Sequence, residues 1–326
     1  MLVALVALVV AVAASGALWF RTRALVDRSL PPVATTVIVP NGATGHDVAV
    51  LLARQKVIGS PLAFELLARL RRVQTEMKAG EFRIAPHRTE SDVLRQMTDG
   101  GQQVATWVTL PEGFTASEVA DTLAAHGLGS GAVLRAEFLH AGLTFDARRT
   151  PSLEGYLFPD TYLVPTAAQP AQIARLFTDE FLRKLPPDAA VRARGLGLTI
   201  PQIVTLASLV EREGKADDER PLIAGVYYNR LHRGMTLDVD ATIEYTFPHH
   251  KNVVTYADLA SDSPYNTYKH LGLPPTPIAN PGLPSLLAAL SPQPSEYLYY
   301  VYMGNGHHAF SRTLAEQNAN VARYLR

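Results

Sequence analysis

Residues 199–234 read TIPQIVTLASLVEREGKADDERPLIAGVYYNRLHRG, two helical runs joined by a short acidic break. Thr199 and Gln202 have the T-x-x-Q spacing of a capping box, and Pro201 suits a first turn, where an N–H has no intrahelical partner. A helix is predicted to start there. Ile203, Leu206, Ala207 and Val210 recur at 3.6-residue spacing, so one face should be buried, with Gly214 as the stop. Glu211 and Glu213 stand near that end. At 100° per residue they fall on opposite flanks of the apolar stripe, and periodicity does not rank them. A carboxylate on such an edge is partly desolvated, which raises its pKa and suits it to donate a proton near neutral pH. A solvated surface charge near a helix end has the same sequence appearance. The second run carries Tyr227, Tyr228, Asn229 and Arg230, either a polar, aromatic wall or core packing by the tyrosines.

The chain has 326 residues, 47% of them hydrophobic, enough for one large domain or two modest ones. Thirty basic and thirty acidic side chains cancel, so there is no electrostatic footprint of a nucleic-acid binder. The absence of cysteine excludes a disulfide, a thiol nucleophile and a thiolate metal site. His249–His250 and His307–His308 are adjacent pairs whose side chains diverge, and no H-E-x-x-H occurs, so neither a metal nor another cofactor is expected.

Leu2–Phe20 is a predominantly apolar run of about 19 residues, long enough for one membrane span. A cleaved signal peptide is the alternative, but no charged segment precedes the run and it exceeds a usual signal core. The expected organisation is a transmembrane anchor over residues 1–23 and a linker over 24–34 ending in Leu30-Pro31-Pro32. Arg21, Arg23 and Arg28 follow the span, and the positive-inside rule alone would keep that side in the cytoplasm.

Past the linker, strand-like Val37–Pro40, a turn at Asn41-Gly42 and a helix from His46 are repeated over residues 106–128. Val37 matches Val108, Pro40 Pro111, Gly42 Gly113, Val48-Ala49 Val119-Ala120, and Leu52 Leu123, an internal duplication. Between the copies come a helix over 62–72, a strand over 80–84 and a helix over 90–97. Ser152–Tyr162, SLEGYLFPDTY, offers Glu154, Asp160 and three aromatics, either for stacking on sugars or as core plugs. Tyr265, Asn266 and Tyr268 sit in a proline-rich loop set that pre-positions polar side chains at low entropic cost. Tyr297–Met303 reads as a buried strand followed by His308, and Thr313–Tyr324 as a closing helix.

LASLVEREG, ERPLIAGVYYNRLHRGMTLDVDATIEY, SPYNTYKHLGLPPTPIANPG and GHHAFSRTLAEQN, with upstream LPEGFT and LEGYLFPDTY, resemble in order and separation the motif series of the endolytic murein transglycosylases, the MltG or YceG-like family. The order of elements in residues 35–105, β-α-α-β, is similar to a LysM-like module, a type associated with N-acetylated glycans, and fits a structural spacer equally. The resemblance therefore implies an α+β chain: an N-terminal transmembrane helix, a small LysM-like module over 35–105, and a larger YceG-like catalytic domain over 106–326. It implies cleavage of the β-1,4 bond between N-acetylmuramic acid and N-acetylglucosamine to leave 1,6-anhydro ends, ending the elongation of nascent strands.

In that family the first glutamate of V-E-x-E is the catalytic one, which carries over to Glu211 and leaves Glu213 a structural or pKa-tuning neighbour. Asn229, Asp240, Tyr265, Asn266, Tyr268 and His308 are the expected substrate contacts. Asp238 stands where the family usually has Gln, Ala241 where it has Pro, and Gln317 where it often has His, so no role is carried to these positions. Glycan strands of peptidoglycan are the implied partner, and peptidoglycan synthases the implied neighbours, although no residue marks such a contact. The implied location is the cytoplasmic (inner) membrane, single-pass, with the catalytic domain outside. Two other readings stay open: a hydrolytic muramidase using Asp240 or Glu154 as second carboxylate, and an anchored peptidoglycan-binding scaffold without turnover.

Overall fold

A computed structural model of the chain describes Ser15 and residues 34–85, 88–99, 103–247 and 255–325. The expected anchor and linker, apart from Ser15 and Ala34, and the His249–His250 pair lie outside the described residues. Among the described residues no single helix is long and apolar enough to cross a membrane. The chain is α+β and forms two compact units, one up to Val108 plus Tyr162–Ala168, the other Thr109–Thr161 plus Gln169 onward.

The first unit runs β1 (Thr35–Val39), α1 (Gly45–Arg54), α2 (Pro61–Leu70), β2 (Gly80–Ile84), α3 (Glu90–Asp99) and β3 (Gln103–Thr109). The expected boundary after residue 105 thus falls within β3. The strand–turn–helix start follows from local chemistry. Gly42 takes φ +77°, open to a residue without Cβ, and Thr44 caps α1 in a reciprocal capping box with Asp47. β1 and β2 pair antiparallel from Thr35↔Ile84 to Val39↔Gly80. Gly80 is required, because at φ +137° any Cβ would overlap the Gln103 side chain and the Ala105 carbonyl. Val37, Val48, Leu52, Phe64, Phe82 and Leu94 form its core. One helix is apolar on two sides: α2 buries Phe64 and Ala68 and also exposes Leu62, Leu66 and Leu70.

The second unit begins with α4 (Ala116–Ala125), α5 (Gly131–His140), β4 (Thr144–Phe145) and β5 (Arg148–Arg149). Its start repeats the first unit's geometry: Gly113 takes φ +79°, and Thr115 caps α4 in a box with Glu118. A second helix follows in both copies, so the duplication extends further than the matched residues. The chain then returns to the first unit, where β6 (Thr161–Pro165) completes the sheet order β1-β2-β3-β6. The chain continues through α6 (Pro170–Lys184), α7 (Ala189–Gly195), α8 (Ile200–Glu213), α9 (Arg220–His232), α10 (Asp240–Glu244) and α11 (Tyr256–Leu259). It closes with α12 (Leu283–Leu290), the antiparallel pair β7 (Tyr299–Tyr302) and β8 (His308–Ser311), and α13 (Leu314–Tyr324). β7 is only half buried, not the buried strand expected. Gln317, on α13, donates to the Tyr300 carbonyl at 2.8 Å and accepts from Ser311 Oγ at 3.2 Å, tying the helix to that strand pair.

The capping box on Thr199 and Gln202 starts α8 as its sequence predicts. The single buried face does not hold: every residue from Ile203 to Val210 is buried, because α7, α9, α10 and α12 all pack on this helix. Its buried hydroxyls are satisfied, Thr205 donating to the Pro201 carbonyl at 2.9 Å, and Ser208 to that of Thr205 at 2.7 Å while accepting from Ile278 N at 3.1 Å.

SLEGYLFPDTY serves packing. Tyr156, Phe158 and Tyr162 are buried. Glu154, 2% exposed, accepts from Ala116 N at 2.9 Å and from Tyr245 Oη at 3.2 Å, so both its oxygens are engaged at the start of α4. Gly155 takes φ +88° where a Cβ would stand 2.5 Å from Pro277 Cβ and Cγ and 3.0 Å from Val204 Cγ1.

Two outcomes are expected. Gly155→Ala adds both left-handed strain and a clash with a rigid ring, and should lower the urea-unfolding free energy by more than about 2 kcal/mol. Burial pushes the Glu154 carboxyl up to about 8 from 4.5. A raised folded-state value means that the folded chain holds the proton more tightly. Its stabilising contribution is complete below the unfolded value and is lost as pH rises from about 4.5 through about 8. Glu154→Gln, which keeps an acceptor for Ala116 N, should flatten the decline in melting temperature over that window.

Candidate active site

Where α8 stops, the chain turns at Gly214, whose absent Cβ would meet Arg220 Cγ and the Val210 carbonyl at 3.0 Å each. The guanidinium of Arg220 therefore lies close under the helix end. It pairs with Glu211 Oε1 at 3.2 Å, the two side chains 8% and 5% exposed, and also reaches Ser285 Oγ at 2.6 Å and Asp217 Oδ1 at 2.9 Å. Glu211 Oε2 accepts the Gly282 N–H at 2.9 Å. Both oxygens of Glu211 are thus acceptors in fixed contacts. Glu112, from the turn before α4, lies so near Gly282 that a Cβ there would overlap its carboxylate. Burial, and then the charge of Glu211, hold the Glu112 carboxyl above its usual range.

Two residues on a helix point about 200° apart, so Glu213 has different company. Burial pushes its carboxyl up to about 7. Tyr300 Oη donates to Glu213 Oε2 at 3.2 Å, which works against that shift, and the charge of Asp240 adds to it. Tyr227 Oη lies 2.8 Å from Tyr300 Oη, extending the chain of hydroxyls into the core. Arg212, between the glutamates, donates to Glu244 Oε2 at 3.1 Å and to the Gly113 carbonyl at 3.4 Å.

The expected substrate residues divide into two groups. Asp240, exposed at the start of α10, accepts from Tyr268 Oη at 2.5 Å, and its charge acts on Glu213. His308 is buried, bonded through its main-chain N and Nδ1 to Glu219 at 2.9–3.1 Å, with its ring edge-on to Tyr300 at 5.4 Å. Glu213, Asp240, Tyr268 and, through Tyr300, His308 therefore form one neighbourhood.

The other three are occupied elsewhere. Asn229 gives its amide to the carbonyls of Ser295 and Tyr297, at 2.8 and 2.9 Å. Asn266, fully buried, gives its amide to the Leu259 and Ser261 carbonyls and accepts the Tyr268 N–H at 3.0 Å, so it shapes the loop that holds Tyr268. Tyr265 shares a 2.6 Å hydrogen bond with Thr276. Asp238 takes φ +52° and pairs with Arg230 at 2.9 Å.

Sequence reasoning missed Tyr300, Arg220 and Glu112 as neighbours of the glutamates; LPEGFT was the one motif that pointed at Glu112. A cavity of about 560 Å³ lies at the opposite end of α8, lined by Phe145, Arg149, Glu154, Gln202, Thr205 and Pro277 among others. Gln202 and Glu213 are eleven helical steps apart, about 16 Å along the axis. Among the described residues no three His, Asp or Glu side chains are grouped to hold a metal ion.

The endolytic murein transglycosylase of Bacillus subtilis (strain 168) is 30% identical over 306 residues, 88% of this chain and 84% of that protein. The protein of the same name from Streptococcus pneumoniae (strain ATCC BAA-255 / R6) is 28% identical over 325 residues, 89% of this chain but only 58% of its own length. In fold, the chain is similar to the crystal structure of a putative YceG-like protein from Listeria monocytogenes, with a TM-score of 0.63, 31% identity, and coverage of 88% of this chain and 98% of that one. The model of the YceG-like family matches residues 37–323. This chain belongs to the YceG-like family.

Proposed function

We infer that the chain is an endolytic lytic transglycosylase of peptidoglycan and that Glu213, rather than Glu211, moves the proton. The observation that carries the second part is the geometry around Glu213, with Tyr300 Oη donating to it at 3.2 Å and the charge of Asp240 acting on it, where burial pushes its carboxyl up to about 7. A group titrating there is protonated often enough to act as acid and ionised often enough to act as base. Glu211, matched to an arginine and a main-chain N–H, has the company of a carboxylate that holds its surroundings in place.

In this reading Glu213 gives its proton to the glycosidic oxygen as the C1–O bond of N-acetylmuramic acid breaks. The positive charge at C1 is met by the sugar's own N-acetyl group, so no protein nucleophile is needed. Glu213, now a carboxylate, takes the proton of the 6-hydroxyl as O6 bonds to C1. One 1,6-anhydro end and one free hydroxyl result, and no water is consumed. Asp240, Tyr268 and His308 border the reacting sugar; Asn229, Tyr265 and Asn266 hold the loops around it.

The apolar run Leu2–Phe20 anchors the chain in the cytoplasmic membrane, with the catalytic unit on the outer side where glycan strands are made and peptidoglycan synthases work. The first unit is a LysM-like spacer. A hydrolytic muramidase is the second reading, favoured by the exposed Asp240, whose charge acts on Glu213 and which can serve as second carboxylate.

Mass spectrometry of purified glycan strands after incubation with the full chain tests these statements. Anhydro ends are expected, whereas hydrated reducing ends would establish the hydrolase. Glu213→Gln should cut turnover by at least about 100-fold with little change in melting temperature. Glu211→Gln should instead lower the melting temperature, since it strips a buried guanidinium of its carboxylate, and still yield anhydro ends. The reverse pattern would return the proton to Glu211.

Turnover should also fall as pH rises through about 7, as the acid form of Glu213 is lost. Tyr300→Phe removes a donor that favours the ionised carboxylate, so its descending limb should move to higher pH.

A further inference from the structure

A helix apolar on two sides has a second partner. α2 turns Phe64 and Ala68 into the core of the first unit, while Leu62, Leu66 and Leu70 are 78%, 40% and 67% exposed. At 100° per residue the three leucines follow one another in steps of 40°, a continuous stripe within an 80° arc, with Arg69 20° beyond Leu62. Arg71 and Arg72 follow at the helix end, both exposed, and Arg71 also reaches Ser91. The only acid of the helix, Glu65, is engaged with His46 Nδ1 at 2.8 Å.

We propose that this face of α2 lies in the headgroup layer of an anionic phospholipid membrane, holding the first unit against the bilayer. The leucines enter the acyl boundary and Arg69 and Arg72 meet the phosphates, the arrangement of an interfacial amphipathic helix, while Arg71 is held on the other side by Ser91. Three leucines on a convex helix are too little for a protein partner, which would bury about 800 Å² on each side. A membrane needs only one side of a helix. The inference rests on the anchor proposed above. Fourteen residues, Arg21–Ala34, separate the apolar run from β1, a contour of at most about 50 Å. A module of this size is roughly 30 Å across, so the tether lets any of its faces reach the surface and keeps the local concentration high. The leucine stripe decides which face does.

The chain has no cysteine, so Leu66→Cys in the full chain can carry a single environment-sensitive fluorophore. The labelled chain would be reconstituted into phosphatidylglycerol-containing vesicles and into phosphatidylcholine vesicles, each with and without acyl-chain spin-labelled quencher lipid. A blue shift and about twofold quenching are expected in the anionic vesicles, weaker in phosphatidylcholine, and lost when Leu62→Gln and Leu70→Gln are added. Flotation of the chain with vesicles, without quenching at position 66, would overturn the docking and leave the anchor standing. Failure to float would overturn the anchor, and the docking with it. A blue shift that persists in detergent and grows with protein concentration would mean that a second copy covers the stripe, and would also overturn the proposal.

Discussion

Burial of α8 on all sides is the constraint from which the second unit follows. A helix with no solvent-facing side leaves no room for charge along its length, and its sequence obeys: from Ile203 to Val210 the only polar side chains are Thr205 and Ser208, both satisfied within the core. Charge can appear only where the helix emerges, and there three consecutive ionisable residues occur, Glu211, Arg212 and Glu213. The ionisable side chains of α8 are thus gathered at the end where the helix leaves the core.

That position also explains how two like residues come to differ. Separated by about 200° around the axis, the glutamates look into different walls built by distant parts of the chain. One wall supplies Arg220 and the Gly282 N–H; the other supplies phenols and a second carboxylate. Glu211 is held by a guanidinium and a main-chain N–H, whereas burial of Glu213 among phenols pushes its carboxyl up to about 7.

The legible parts of the sequence were those set by local chemistry. The capping box at Thr199, the glycines of the repeated turns, and the 3.6-residue periodicity of one face of α8 all depend on residues within a few positions of one another. What could not be read was long-range. Tyr300 meets Glu213 across 87 positions and Arg230 reaches Leu298 across 68. The partners of Asn229 and Asn266 were hidden for a related reason. A polar side chain in an aromatic, turn-rich setting resembles a ligand contact, but irregular buried backbone leaves carbonyls that need donors, and these amides supply them. The burial of α8 on its remaining sides was hidden because Thr205 and Ser208 interrupt the apolar pattern while bonding back to their own helix.

The duplicated turns have diverged in how much change they can absorb. In the first copy, Asn41-Gly42 is solvent-exposed, and the space around Gly42 is empty. In the second, the equivalent pair Glu112-Gly113 sets a carboxylate over Gly282, gives its carbonyl to Arg212, and donates the Gly113 N–H to the Asn280 carbonyl. An added residue at the first turn is a local matter, whereas the same insertion at the second would displace the floor beneath Glu211. The same turn geometry is thus a spare part in one place and a fitted component in the other, so that lengthened loops across relatives should collect at the former and be excluded from the latter.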